Sequence, residues 1–294
     1  MPGKLALPAF FAVILVGAVV LGPAIYFLMQ AVWPIPFHRA MDRALLISAL
    51  AGLALVGPRL DFRALWPWQR KTALLGLLGL FVAAISMQAI VGVDLAVVGF
   101  HSAHLGAGAV AGRFALALVA AIIAAPAEET VFRGFLQREF VRGLGWTPGW
   151  VLGAAVYALA HFLKVPVELD HQPVSWASGA GALVAAFAAI AHDLATPENQ
   201  VKLLNLLIIG LILGGVYQRS GSLWFGGGLH AGWILGLLLF TGLTRPDEPP
   251  RVAGLGGDIT SSLITTVVLL MLAFWLWRYF LNPSVRPESG ASAP

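Results

Sequence analysis

Long apolar runs alternate with short polar connections along the whole chain, and their lengths set the architecture. Runs of roughly 17 to 25 residues suffice to cross a hydrocarbon core about 30 Å thick. The pattern predicts helices near 8–32, 42–57, 71–92, 109–140, 147–164, 201–218, 222–242 and 262–281. Within the runs apolar positions are continuous rather than alternating, which favours helices over barrel strands. The 109–140 run is too long for one span. Its polar second half, with Arg133, Arg138, Glu139 and Arg142, is expected to emerge into the cytoplasm. Stretch 179–193 is apolar and Ala-rich but short, and spanning, re-entrant and interfacial placements are all open to it. The expected fold class is all-α, a polytopic transmembrane helix bundle of about eight spans, or nine if 179–193 crosses. One transmembrane domain covers 1–282, and the Pro/Ser/Gly-rich tail 283–294 reads as disordered. No internal repeat is visible.

Composition sharpens this picture. The 294 residues are 59% hydrophobic and only 11% charged, against about 25% charged in soluble domains. A net charge of +4 and a pI near 9.8 invite a nucleic-acid reading. The basic residues instead sit in short loops beside apolar runs, as topology signals do, so no nucleic-acid partner is expected. The chain has no cysteine, which excludes disulfides, thiolate nucleophiles and Cys-based metal sites. Lys4 followed by apolar sequence to Trp33 predicts a retained first helix rather than a cleaved signal peptide. The 58–71 loop holds Arg59, Arg63, Arg70 and Lys71, whereas 93–108 holds no Lys or Arg. The first loop is therefore expected inside and the second outside, with a cytoplasmic N-terminus in a cell (plasma) membrane. Trp66 and Trp68 beside those basic residues read as an interfacial anchor.

Ionisable side chains at bilayer depth cost at least about 2.5–3.5 kcal/mol each, so they are functional candidates by default. Pro126-Ala127-Glu128-Glu129-Thr130-Val131-Phe132-Arg133 directly follows an apolar stretch. Adjacent carboxylates on a helix point about 100° apart, so they serve different ends. Glu129 and Arg133 are spaced to pair on one face. Glu128 has Phe132 four positions on and is the candidate general base. Pro126 removes a backbone donor, which predicts a kink beside Glu128. The blander reading makes both glutamates a solvated helix end. Tyr157 and His161 lie one turn apart on the next helix, and His230 falls near the middle of the 222–242 run among glycines. Taken alone, either histidine also reads as an interfacial or packing residue.

Taken together, Glu128-Glu129-x-x-x-Arg133, Tyr157-x-x-x-His161 and a late intramembrane His230 resemble the CPBP (CAAX protease and bacteriocin-processing, or Abi) intramembrane peptidases. The stretch Gly210 to Trp224 leading to His230-Ala231 is similar to the family's penultimate core helix and turn, so the resemblance covers about 110–240. It implies an intramembrane endopeptidase acting on a protein or peptide, lipidated or membrane-tethered, of CAAX-type or peptide-maturation and sorting type. Glu128 and His161 would activate water, His230 would stabilise the oxyanion, and Arg133 with Glu129 would hold the site together. Two positions depart from the family pattern: Tyr157 stands where Phe is usual, and Ile234 where Asn follows the late His. Losing one oxyanion donor costs on the order of 10² to 10³ in rate. Trp233 offers an indole N–H instead, one position off that helical face.

The resemblance leaves the metal question open, because the family has been described both ways. Glu128, His161 and His230 with a water would suit a divalent metal such as zinc. Arg133 near the carboxylates argues for a cofactor-free site. The rhomboid Gly-x-Ser-Gly and the zincin His-Glu-x-x-His are absent. Two other classes stay in view. Ile234 points to a silent immunity or scaffold protein, and the buried Glu and His to a transporter or proton relay, against which the lack of an inverted repeat counts.

Overall fold

The structure, a computed structural model, describes residues 6–56, 60–246 and 258–278. The 283–294 tail lies outside them. The chain divides into two compact units, Met1–Leu65 with Ala127–Leu207, and Trp66–Pro126 with Ile208–Pro294.

The first unit opens with α1 (Ala6–Val32) and α2 (Phe37–Val56), joined across Pro34 and Pro36. The short connection makes them antiparallel neighbours. Gly17 lies against Ser48, Gly22 against Met41 and Gly52 against Phe10, so small residues set the approach of the two helices. α2 starts five residues earlier than the apolar pattern predicts, because its first turn carries the polar His38 and Arg39. The single turn α3 (Phe62–Leu65) closes this part. α6 (Arg138–Leu144), α7 (Trp146–Ala160), α8 (Ser178–Asp193) and the start of α9 (Pro197–Ser220) complete the unit. A cluster of Phe37, Met41, Val165, Ala182 and Ala186 ties α8 to α2. Gly179 lies against the backbone of Val19 on α1.

The second unit is built on α4 (Arg70–Asp94), most of α5 (Ala107–Glu129), the rest of α9, α10 (Trp224–Leu243) and α11 (Leu263–Leu276). α4 and α10 run parallel: Gly76 meets Gly228, Ala83 meets Gly232 and Met87 meets Gly236. A Cβ on Gly228 would run into the Gly76 carbonyl, so only glycine permits this approach. Ser262 caps α11 by accepting from the Ile264 N–H, and its hydroxyl donates to buried Asp94 at 3.0 Å. Strands β1 (Phe100–Ser102) and β2 (Thr244–Pro246) pair antiparallel, His101 opposite Arg245. They are the only strands among the described residues.

Five helices are long and apolar enough to cross a bilayer: Ala6–Val32, Arg70–Val97, Ala107–Leu144, Pro197–Ser220 and Trp224–Leu243. Within their most apolar windows only 11% to 44% of residues are buried by the protein itself. Leu28, Phe81 and Leu116 are more than 60% exposed, a surface water would not tolerate over such lengths. Lipid is the matching solvent, and the chain is a multi-pass helical membrane protein.

Candidate active site

The Glu128–Arg133 region sits where helix geometry changes. α5 ends at Glu129, a π-helical segment runs Thr130–Gln137, and α6 resumes the α-form. Pro126 lies four residues before Thr130 and cannot donate to the Ile122 carbonyl. π segments inserted in α-helices are frequent at functional sites. The expected run 109–140 is thus one long helix, Ala107–Leu144, with a changed pitch across the motif.

Arg133 Nη1 lies 3.2 Å from Glu129 Oε1, with the two side chains 1% and 0% exposed. The Arg133 guanidinium carbon is 4.2 Å from the Tyr157 ring centroid, a cation–π contact. Phe132 meets the same ring edge-on at 5.1 Å. Arg133 is therefore held between a carboxylate on its own helix and an aromatic face on α7. Glu128 is half-buried, and its carboxylate lies within electrostatic reach of the Tyr157 hydroxyl.

A repeat of four builds this arrangement. Gly145, at φ +89°, turns the chain between α6 and α7 and returns it antiparallel. On α7, Gly149 packs on the backbone of Phe140 and Val141. A Cβ on Gly153 would sit 3.1 Å from Gln137 Cβ. Tyr157 then faces Arg133. Each step of four along α7 goes four back along the partner, so the next step sets His161 level with Glu129. Two bare glycines bring the backbones close enough for the Tyr157–Arg133 contact to form.

His161 is not inside a helix, as the predicted span 147–164 had it. α7 ends at Ala160 and His161 is its C-cap. Pro166 lies a few residues on, and the backbone turns at 161–163. The imidazole Nδ1 lies 2.9 Å from the Tyr157 carbonyl oxygen. A carbonyl only accepts, so Nδ1 carries the proton and Nε2 is the acceptor in the neutral ring.

His230 lies in the second unit, on α10, and is 4% exposed. Trp233 does not supply the spare donor that its position suggests. Its indole N–H donates to Ser86 Oγ on α4 at 2.9 Å, because the parallel glycine seam brings Ser86 beside it. Ile234 contributes no polar atom. Ser86, whose run reads as plain apolar sequence, and Gln137, buried opposite Gly153, both escape a reading by motif. Gln137 continues the Glu129–Arg133 spacing of four, the one signal that pointed to it.

Among the described residues no three His, Asp or Glu side chains are grouped as a metal site requires. Of the three candidate ligands, Glu128 and His161 lie in the first unit and His230 in the second. The guanidinium of Arg133 is a fixed cation in the first unit.

No curated protein and no solved structure is a significant match to the chain. One family model does match, described as type II CAAX prenyl endopeptidase Rce1-like, over residues 110–236. That stretch holds the Glu128–Arg133, Tyr157–His161 and His230 motifs together. Over residues 110–236, then, the chain matches the Rce1-like family of CPBP/CAAX proteases.

Proposed function

We propose that this protein is an intramembrane endopeptidase of CAAX type that hydrolyses a peptide bond with a water activated by Glu128. The supporting observation is the buried cluster that Glu129, Arg133 and Tyr157 build directly beside Glu128. Glu129 is committed to Arg133, which is in turn stacked on Tyr157. Glu128 precedes Glu129 on the same helix, and the register with α7 sets His161 level with Glu129. In this reading Glu128 accepts a proton from water while His161 Nε2 holds the water in line. The water oxygen attacks the scissile carbonyl, and the proton passes from Glu128 to the leaving amine. His230 takes the part of the group that polarises the carbonyl. Arg133, Glu129 and Tyr157 keep the carboxylate in place and are positioning residues.

The substrate proposed is a membrane-tethered or prenylated peptide presented from the bilayer, which fits a family of CAAX prenyl endopeptidases. The site is proposed to work without a metal, because a divalent ion would have to bind beside the Arg133 guanidinium. In proteoliposomes, Glu128→Gln and His161→Ala should each abolish cleavage of a farnesylated CAAX peptide. Glu139→Gln, which breaks only the 2.7 Å pair with exposed Arg142 on α6, should not. Cleavage retained by Glu128→Gln overturns the proposal.

A second reading has its own observation. With Ile234 in place of Asn and the Trp233 indole taken by Ser86, α10 carries a reduced set of oxyanion donors. A silent relative that binds peptides without cutting them would look the same. It would bind the farnesylated peptide equally with and without Glu128.

A further inference from the structure

The α4–α10 pair is joined by a seam of small residues. Gly76, Gly79 and Ala83 face Gly228, the Phe225–Leu229 backbone and Gly232. Such a seam lets two axes approach closely, but it offers few side chains to resist rotation of one helix about its axis. Trp233 Nε1 donates to Ser86 Oγ at 2.9 Å, and Ser86 Oγ donates to the Ala83 carbonyl at 3.0 Å. The Ser86 proton is thereby committed to its own helix, so its oxygen is oriented as an acceptor for the indole. Both residues are buried, at 6% and 7% exposed.

His230 lies one turn before Trp233 on the same helix. Two residues beyond Gly228, it is about 200° round from the seam, so α4 backs α10 on the side away from His230. A side chain reaching about 6 Å from the helix axis moves about 1 Å for each 10° of rotation. A 1 Å misplacement can cost about 10² in rate. We propose that Ser86, outside the family match, is a positioning residue: it holds Trp233, and so fixes the rotation of α10 that aims His230. This rests on the reading that His230 takes part in catalysis.

The test uses the full chain in proteoliposomes, with kcat, KM and melting temperature measured for each variant. Ser86→Thr and Ser86→Val have the same shape and differ in the hydroxyl, and Trp233→Phe removes the donor. Val and Phe variants should lose about tenfold or more in kcat, with KM within about twofold. Their double variant should be no slower than either single one, and Ser86→Thr should stay near wild type. The ring ¹⁵N resonances of His230 should shift in Ser86→Val and not in Ser86→Thr, a readout that needs no substrate and serves with Trp233→Phe if Ser86→Val does not fold. Unchanged kcat and unchanged His230 resonances in Ser86→Val, with His230→Gln inactive, would reduce the bond to packing and leave the peptidase reading standing. Full activity in His230→Gln would remove His230 from the reaction, and with it the positioning role of Ser86.

Discussion

Replacing Arg133 by methionine isolates the contact around which the first unit's site is assembled. Methionine keeps the length and bulk of the arginine stem and deletes its charge. The Glu129 carboxylate, 0% exposed, would then lose the cation now 3.2 Å away. Breaking a buried pair from one side costs about 3–5 kcal/mol. A desolvated cation–π contact such as the one to Tyr157 is worth about 2 kcal/mol. These terms overlap, so the expected loss is about 4 kcal/mol, a large share of the roughly 5–15 kcal/mol that holds a protein folded. The double variant Glu129→Gln/Arg133→Met removes the stranded charge as well. It should recover about 2 kcal/mol relative to the sum of the single changes. Equilibrium unfolding in mixed micelles, run as a four-member cycle, reads this coupling directly. If the double variant falls by the plain sum of the two single losses, the buried pair is not the organising contact.

Glycine substitutions separate close approach from chain flexibility. Gly149→Ala, whose Cβ would strike the Val141 backbone, should lower the melting temperature and the activity together. Gly143→Ala on α6 meets open space and should be neutral or stabilise by about 0.5–1 kcal/mol in the same melts. The connection after His161 should carry an acid-sensitive clasp: Asp170 accepts from the His38 backbone N–H at 2.9 Å and meets its ring at 2.5 Å. Burial raises the Asp170 carboxyl, but these His38 bonds and the attraction to its ring outweigh it, and the net shift is downward from 3.8. The clasp's contribution is therefore complete above about 3.8 and lost as pH falls below it. Hydrogen exchange of 166–177 should stay flat from pH 7 to 5 and rise only in stronger acid. Chelator treatment should leave peptidase activity intact, and loss restored by one specific divalent ion would sink the metal-free reading.

Much of the fold follows from run length alone, because a bilayer demands about 20 apolar residues per span and the chain supplies them. The Glu129–Arg133 pair was legible from its spacing, and the family from three motifs in order. What escaped depends on contacts between distant segments. The π segment at Thr130–Gln137 has the composition of an ordinary helix and differs only in hydrogen-bond register. His161 as a C-cap reflects where the chain turns, which hydropathy does not resolve. Ser86 and Trp233 lie 147 positions apart, so their bond waits on the glycine seam that brings α4 and α10 together. The Gly149–Gly153–Tyr157–His161 spacing of four, by contrast, stood in the sequence. It gains its meaning only beside the matching Glu129–Arg133–Gln137–Val141 row.

The central claim is peptide hydrolysis that depends on Glu128. The most direct measurement is mass spectrometry of a membrane-tethered peptide library incubated with purified wild type, Glu128→Gln and Ile234→Asn. The account predicts defined cleavage products from wild type, none from Glu128→Gln, and equal or greater yield from Ile234→Asn. Products from Glu128→Gln at the wild-type rate, or none from a well-folded wild type, would contradict it.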